Sequence, residues 1–430
     1  MGFGILHCVE GLRRADQRVL DAIDEGELVD HLAALVRVPS VTGSAAEADA
    51  LRLLAGWYAE AGLEVDLWRD HLQGLRAAEG FPGSEAPREE SWGLVGTTPG
   101  TGEPALVLSG HVDVVPPGDP ATWAGGDPFS ARVEGGRMHG RGTCDMKAGV
   151  VASLAVARAL RRSGVPLGGR LALHAVVGEE DGGIGAFATL RRGHRGAACV
   201  ITEPTAGRCV TANAGALTFR LEVAGRAAHG STRTEGVSAI EAFLPLHEAL
   251  RDLESDRNVD PPAAFGDDAL PYGISVGTVQ AGEWASTVPD RLVAEGRLGV
   301  RLDEEPDAAR AALVEALAAA AQADPWLRDH PPVVTWPGGQ FASGRLPEGH
   351  PLAEEVAAAA EVAGTPPPPT AAAPYGSDLR LYAAAGVPTL QYGPGDVRLA
   401  HSSQESVALD EVVEVTRTLA VLAARRLDAG

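Results

Sequence analysis

The sequence predicts an α/β protein: a mixed central sheet flanked by helices, with a smaller α+β unit inserted into it. Three observations predict this. Short, largely apolar runs at 105–110, 171–177 and 199–201 read as strands buried on both faces, with helical periodicity between them. Alternating apolar and polar residues at 217–223 and 291–298 read as strands with one solvated face. From about residue 339 the first texture returns, so the second unit is an insertion and not a tail. The large unit is expected over 1–210 and 339–430, the small one over 211–338.

Taken in order, Leu28, Leu32, Leu35 and Val36, then Leu51, Leu54, Trp57 and Tyr58, fall at helical spacing, with Pro39 and Gly43 dividing two helices. Residues 72–104 are rich in Gly, Pro and Glu and read as a surface excursion. The first buried strand is followed by a helix from Ala148 to Arg162, then by the strands Leu171 to Val177 and Cys199 to Ile201. In the insertion, helices near 237–253 and 306–322 accompany the alternating strands, the order of a ferredoxin-like sheet with helices on one side. Leu352 to Ala363 then reads as helix and Val387 to Tyr392 as extended chain.

The chain has 430 residues, and 36 basic against 58 acidic side chains leave a net charge of −22. Such a charge repels phosphate backbones, which argues against nucleic acid as a partner. No stretch approaches the ~20 apolar residues of a membrane helix. The start, Met1 to Cys8, has no basic n-region and too short an apolar run for a signal peptide, so a cytoplasmic location is expected. Cys8, Cys144, Cys199 and Cys209 are scattered, as suits reduced thiols. Lys147 is the only lysine among the basic residues.

Each strand end in the large unit finishes on residues of metal-ligand type. They are Ser109-Gly110-His111-Val112-Asp113, Gly178-Glu179-Glu180 and Thr202-Glu203-Pro204, with Gly142-Thr143-Cys144-Asp145-Met146-Lys147 ahead of a helix and Ala400-His401 near the C-terminus. Each alone has a plain reading; Asp145, for instance, could be an N-cap. Together, two histidines, one aspartate and two glutamates at strand ends or helix starts of one sheet make five mixed N and O ligands, suited to zinc or a similar ion. Five exceed what one tetrahedral catalytic ion uses. With one carboxylate shared, they fit two ions about 3.5–4 Å apart.

In this order, and over nearly the whole chain from about 27 to 425, these motifs resemble the di-zinc M20 metallopeptidases and deacylases. Acetylornithine deacetylase, succinyl-diaminopimelate desuccinylase and glutamate carboxypeptidase belong to that family. The resemblance implies a zinc-exopeptidase-like catalytic domain and a lid and dimerisation domain, hence a homodimer. It implies that His111, Asp145 and Glu203 hold one zinc, and that Asp145 bridges to a second completed by Glu180 and His401. Cobalt is expected to substitute. Asp113 is expected to orient the His111 imidazole, and Glu179 to act as general base. His229, in Gly225-Arg226-Ala227-Ala228-His229-Gly230-Ser231, matches a lid histidine that serves the neighbouring protomer's oxyanion. Arg380, in Gly376-Ser377-Asp378-Leu379-Arg380, resembles an arginine that meets a substrate carboxylate. Where relatives carry one arginine on a lid strand this chain has Gly299, with Arg297 and Arg301 two residues to either side as candidate helpers. The implied reaction is hydrolysis of an N-acyl amino acid or related amine. A carboxypeptidase or dipeptidase, an N-formyl-aminopyrimidine deformylase, and a non-catalytic metal- or ligand-binding homologue remain open alternatives.

Overall fold

The computed structural model describes residues 12–266, 268 and 270–428; the Met1 to Cys8 start lies outside them. Nine strands build the larger sheet. Its order is Glu64–Arg69, Trp92–Thr97, Leu171–Val176, Leu106–His111, Cys199–Ile201, Thr389–Gln391, Cys209–Asn213 and Gly344–Arg345, with Thr370–Ala373 beside Cys209–Asn213. Leu106–His111 runs parallel to both Leu171–Val176 and Cys199–Ile201, and Thr389–Gln391 continues that parallel set. Alternation explains why these runs are largely apolar. Leu106, Leu108, Leu171 and Leu173 face the core under the helices Ala148–Ser163 and Leu409–Arg426. Val107, Ala172 and Val176 face a second core under Ile184–Arg191 and Leu379–Ala384. Both faces are covered, so both sets are mainly apolar, the buried Ser109 and His174 sharing the Tyr382 hydroxyl.

The excursion over 72–104 differs from expectation. It contains Trp92–Thr97, a strand paired antiparallel with Glu64–Arg69 on one side and Leu171–Val176 on the other. Its glycines hid it. A Cβ on Gly93 would sit 2.1 Å from the Trp68 ring, and one on Gly96 2.5 Å from the Tyr58 ring. Large neighbours fill the space that the strand's own side chains would otherwise occupy.

The smaller sheet is antiparallel, ordered Ile274–Ala281, Arg291–Val300, Gly215–Ala224 and Val333–Thr335, with Gln340–Phe341 also paired to Gly215–Ala224. Leu217, Phe219, Leu221 and Val223 point to one face and pack with the helices Ala239–Arg257 and Pro306–Ala323. Cys209–Asn213 still belongs to the large sheet and Gln340–Phe341 to the small one, so the chain crosses between sheets at 214 and again at 342–343. Cys144, Cys199 and Cys209 are free and buried. Among the described residues, no helix is long and apolar enough to cross a membrane.

Candidate metal centre

Parallel strands deliver the residues that follow them to one edge of a sheet. His111 closes its strand, Glu179 and Glu180 follow Leu171–Val176, and Glu203 follows Cys199–Ile201. Asp145 comes from the turn Thr143–Lys147, and His401 from the loop beyond Thr389–Gln391. All six line or adjoin one cleft. The His111 Nδ1–H donates to the backbone oxygen of Asp113 at 2.9 Å, which leaves the Nε2 lone pair facing Asp145 Oδ1 at 3.2 Å and Glu203 Oε1 at 3.7 Å. His401 Nε2 stands 3.1 Å from Glu180 Oε2 and 3.5 Å from Asp145 Oδ2. Asp145 therefore offers one oxygen to each histidine. Glu179 gathers with His111 and Glu203, while Glu180 faces His401.

These spacings can be tested against an ion. Ligand atoms about 2.1 Å from a tetrahedral ion lie about 3.4 Å apart, close to the four contacts above. The charges agree. Burial, reinforced by neighbouring carboxylates, pushes the Glu203 and Glu179 carboxyls well above the usual range. Burial also opposes charge on His111, yet Glu203, Asp145 and Asp113 drive its pKa up; hydrogen bonds to Asp145 and Glu180 carry His401 to about 10. A cluster this acidic wants cationic charge, which the two imidazoles can supply only by giving up their ligand lone pairs. The donor set fits divalent ions.

The supports were partly missed in the sequence. Asp145 is not a helix cap, since the helix Ala148–Ser163 has no side-chain cap. Its turn is held instead by Glu405, whose Oε1 accepts the N–H groups of Gly142, Cys144 and Asp145 at 2.8, 3.1 and 3.2 Å and whose other oxygen pairs with buried Arg141. Glu405 stands four residues past His401, the one signal that could have found it. Lys147 is wholly buried and donates to Leu35 O and Val38 O at 3.2 and 2.8 Å, tying the helix Glu25–Val36 to the Asp145 turn. Asp113 does hold the imidazole, but through its backbone oxygen; its carboxylate oxygen is 3.6 Å from the ring. That carboxylate accepts the N–H groups of Glu179 and Glu180, both at 3.3 Å, and the Thr42 hydroxyl at 3.0 Å.

The three arginines expected as a clamp each donate to backbone oxygens. Arg380 donates to Ser377 O at 2.7 Å and Gly182 O at 2.6 Å and stacks on Phe341, behind the cleft wall. Arg301 lies past the end of its strand and donates to Arg257 O and Asp256 O, capping the helix Ala239–Arg257. Arg297 donates to Pro374 O at 2.8 Å, beside the wall formed by Tyr375, Gly376 and Ser377. Gly299 has its own cause: a Cβ there would sit 2.7 Å from the Tyr272 backbone. His229 is exposed on the lid and does not line the cleft, and its Nδ1 accepts the Ser231 N–H at 3.2 Å. That bond leaves the ring proton on Nε2, a ready donor.

Buried carboxylates paired with histidines past the ends of parallel strands, beside an inserted second sheet, define a metal-dependent hydrolase. The chain belongs to peptidase family M20/M25/M40, whose profile matches residues 107–425. It is similar to an N-formyl-4-amino-5-aminomethyl-2-methylpyrimidine deformylase of Bacillus subtilis, with 26% identity over 85% of this chain and 86% of that one. It is 36% identical to a succinyl-diaminopimelate desuccinylase of a Methylobacterium species over 50% of this chain and 53% of that one. Among solved structures, a dinuclear metal-binding M20 peptidase of Bacillus subtilis superposes with a TM-score of 0.63 at 15% identity, covering 94% of this chain and 98% of that one.

Proposed function

We propose that this chain removes a small N-acyl group from an amino acid or related amine. The observation that carries the reading is Asp145, its two oxygens 3.2 and 3.5 Å from two different histidines, with Glu179 in the same cleft. Two ions, zinc being the proposed native metal and cobalt a substitute, would be held by His111, Asp145 and Glu203 and by Asp145, Glu180 and His401. When bound, such ions polarise a scissile carbonyl and lower the pKa of water.

The chain's own residues do the rest. The Glu179 carboxylate takes a proton from the attacking water and returns it to the amine nitrogen as the C–N bond breaks, so that one amide and one water become one acid and one amine. Asp113 keeps Glu179 and Glu180 facing the cleft through their backbone N–H groups. In a homodimer formed through the lid, the Nε2–H of His229 of the partner subunit would donate to the developing oxyanion.

The charge of the cleft lining favours an uncharged acyl group, formyl or acetyl, over succinyl. Its volume is about 270 Å³, and beyond the metal-ligand set and Glu179 its lining is Pro204, Tyr375, Gly376, Ser377, Val397 and Ala400. None carries positive charge, and Arg380 is engaged elsewhere. The acidic surface and free thiols suit a cytoplasmic enzyme acting on small molecules.

A screen of N-formyl, N-acetyl and N-succinyl amines and dipeptides, with added Zn²⁺ or Co²⁺, tests the substrate. Glu179→Gln tests the chemistry: it should retain metal yet lose about 10²–10⁴ in kcat. Asp145→Ala should lose both metal and activity. Full activity in strong chelator, or a Glu179→Gln protein stripped of metal, would sink the reading.

A further inference from the structure

The excursion between Leu72–Arg76 and Trp92–Thr97 has work that the reaction above does not describe. Within it, residues 82–88 form a strap across the back of the Glu179–Glu180 turn. The guanidinium of Arg88 has no solvent exposure and bridges two acids: Nη1 lies 2.7 Å from Glu47 Oε2, and Nη2 3.3 Å from Asp181 Oδ1. The other oxygen of Asp181 accepts the Ala86 N–H at 3.0 Å and the Ser84 hydroxyl at 3.1 Å. Glu47 in turn accepts the Gly43 N–H at 3.0 Å.

The packing leaves no slack. A Cβ on Gly178 would come 2.6 Å from Arg88 Nη2, and one on Gly182 2.7 Å from Gly83 O. Both glycines have positive φ, 65° and 136°, and together they bracket Glu179, Glu180 and Asp181. Asp113 grips the N–H groups of the two glutamates from one side. Arg88 grips the next residue, Asp181, from the other.

We propose that Arg88 is a positioning residue for Glu179 and Glu180, acting through Asp181 to hold their turn against the cleft. It rests on the reading of Glu179 as the base. A guanidinium suits the task because its fork reaches two carboxylates at once, whereas a lysine ammonium is a single point. The position of a base matters steeply, since small displacements of a reacting group forfeit much of the rate.

The test is Arg88→Lys, with Asp181→Asn as a second variant that keeps the Ser84 and Ala86 contacts nearly isosteric. Amide hydrogen exchange on the metal-free protein reads the turn directly. Exchange across 178–183 should quicken about tenfold or more, while the strand Leu106–His111 stays protected. With the best substrate from the screen, kcat should fall about tenfold or more at a KM within twofold of wild type. If Arg88→Lys fails to fold, the charge-free triple Arg88→Met, Glu47→Gln, Asp181→Asn takes its place, with the same two effects expected. Wild-type exchange in the turn, or a kcat within twofold of wild type, overturns the proposal. Glu179→Gln separates the two ideas. If it is fully active, the base assignment falls; if it is inactive while Arg88→Lys and Asp181→Asn are not, only the positioning role falls.

Discussion

His174 makes the large domain acid-sensitive in a way that can be calculated. It stands within Leu171–Val176, 2% exposed, its Nδ1 2.8 Å from the Tyr382 hydroxyl, which also meets Ser109 Oγ at 2.9 Å. Burial, and secondarily the nearby His194, hold its pKa down from 6.5 to about 3. The unfolded chain takes up this proton first as pH falls. Stability from this group is therefore complete above pH 6.5 and is lost progressively between 6.5 and about 3. The loss comes to about 2 kcal/mol at pH 5 and about 5 kcal/mol in full. His174→Asn places an amide where Nδ1 stands, keeps the tyrosine bond and does not titrate. Urea unfolding of both proteins in chelator, which removes any effect of metal release, should show wild type losing about 2 kcal/mol more than the variant between pH 7.5 and 5. Equal losses would refute the reasoning.

Three further outcomes follow from the contacts. Glu405→Ala strands three backbone N–H groups and Arg141, each costing about 1–3 kcal/mol, so the melting temperature and metal retention should fall together; an unchanged melt with full metal would count against the clamp. Arg380→Lys should cost about 1–2 kcal/mol of stability but leave the kcat/KM ratio between an N-acyl amino acid and its amide unchanged; a loss confined to the acid would return Arg380 to the substrate. His229→Ala and Glu179→Ala proteins should each be nearly inactive, and mixing them should restore about a quarter of wild-type activity if dimers exchange, because half the dimers are hybrids with one intact site. No recovery after verified exchange would rule out a histidine working across the interface.

Much of the candidate site's clustering was legible without coordinates. An apolar run long enough for one buried strand marks where the strand ends, and the polar residue just past it must emerge at the sheet edge. That local rule picks out His111, Glu179, Glu180 and Glu203, and the same periodicity separates the alternating strands of the insertion from the buried strands of the large sheet. The strand Trp92–Thr97 escaped because its space is filled by Trp68 and Tyr58, which no pattern inside the strand records.

What the sequence determined by itself is the chemistry available: which ligand types exist, in what order, at which strand ends. What only the tertiary structure decided is which partner each charged group finds. Arg380 could have met a substrate; it meets Gly182 O, 198 residues away in the chain. Arg88, in a stretch with no periodicity, closes on Asp181, and Glu405 closes on a turn more than 250 residues before it. A side chain's type follows from one position, but its hydrogen-bond partner follows from how distant segments pack. Burial then makes that pairing obligatory, because a buried charge left without a partner costs several kcal/mol.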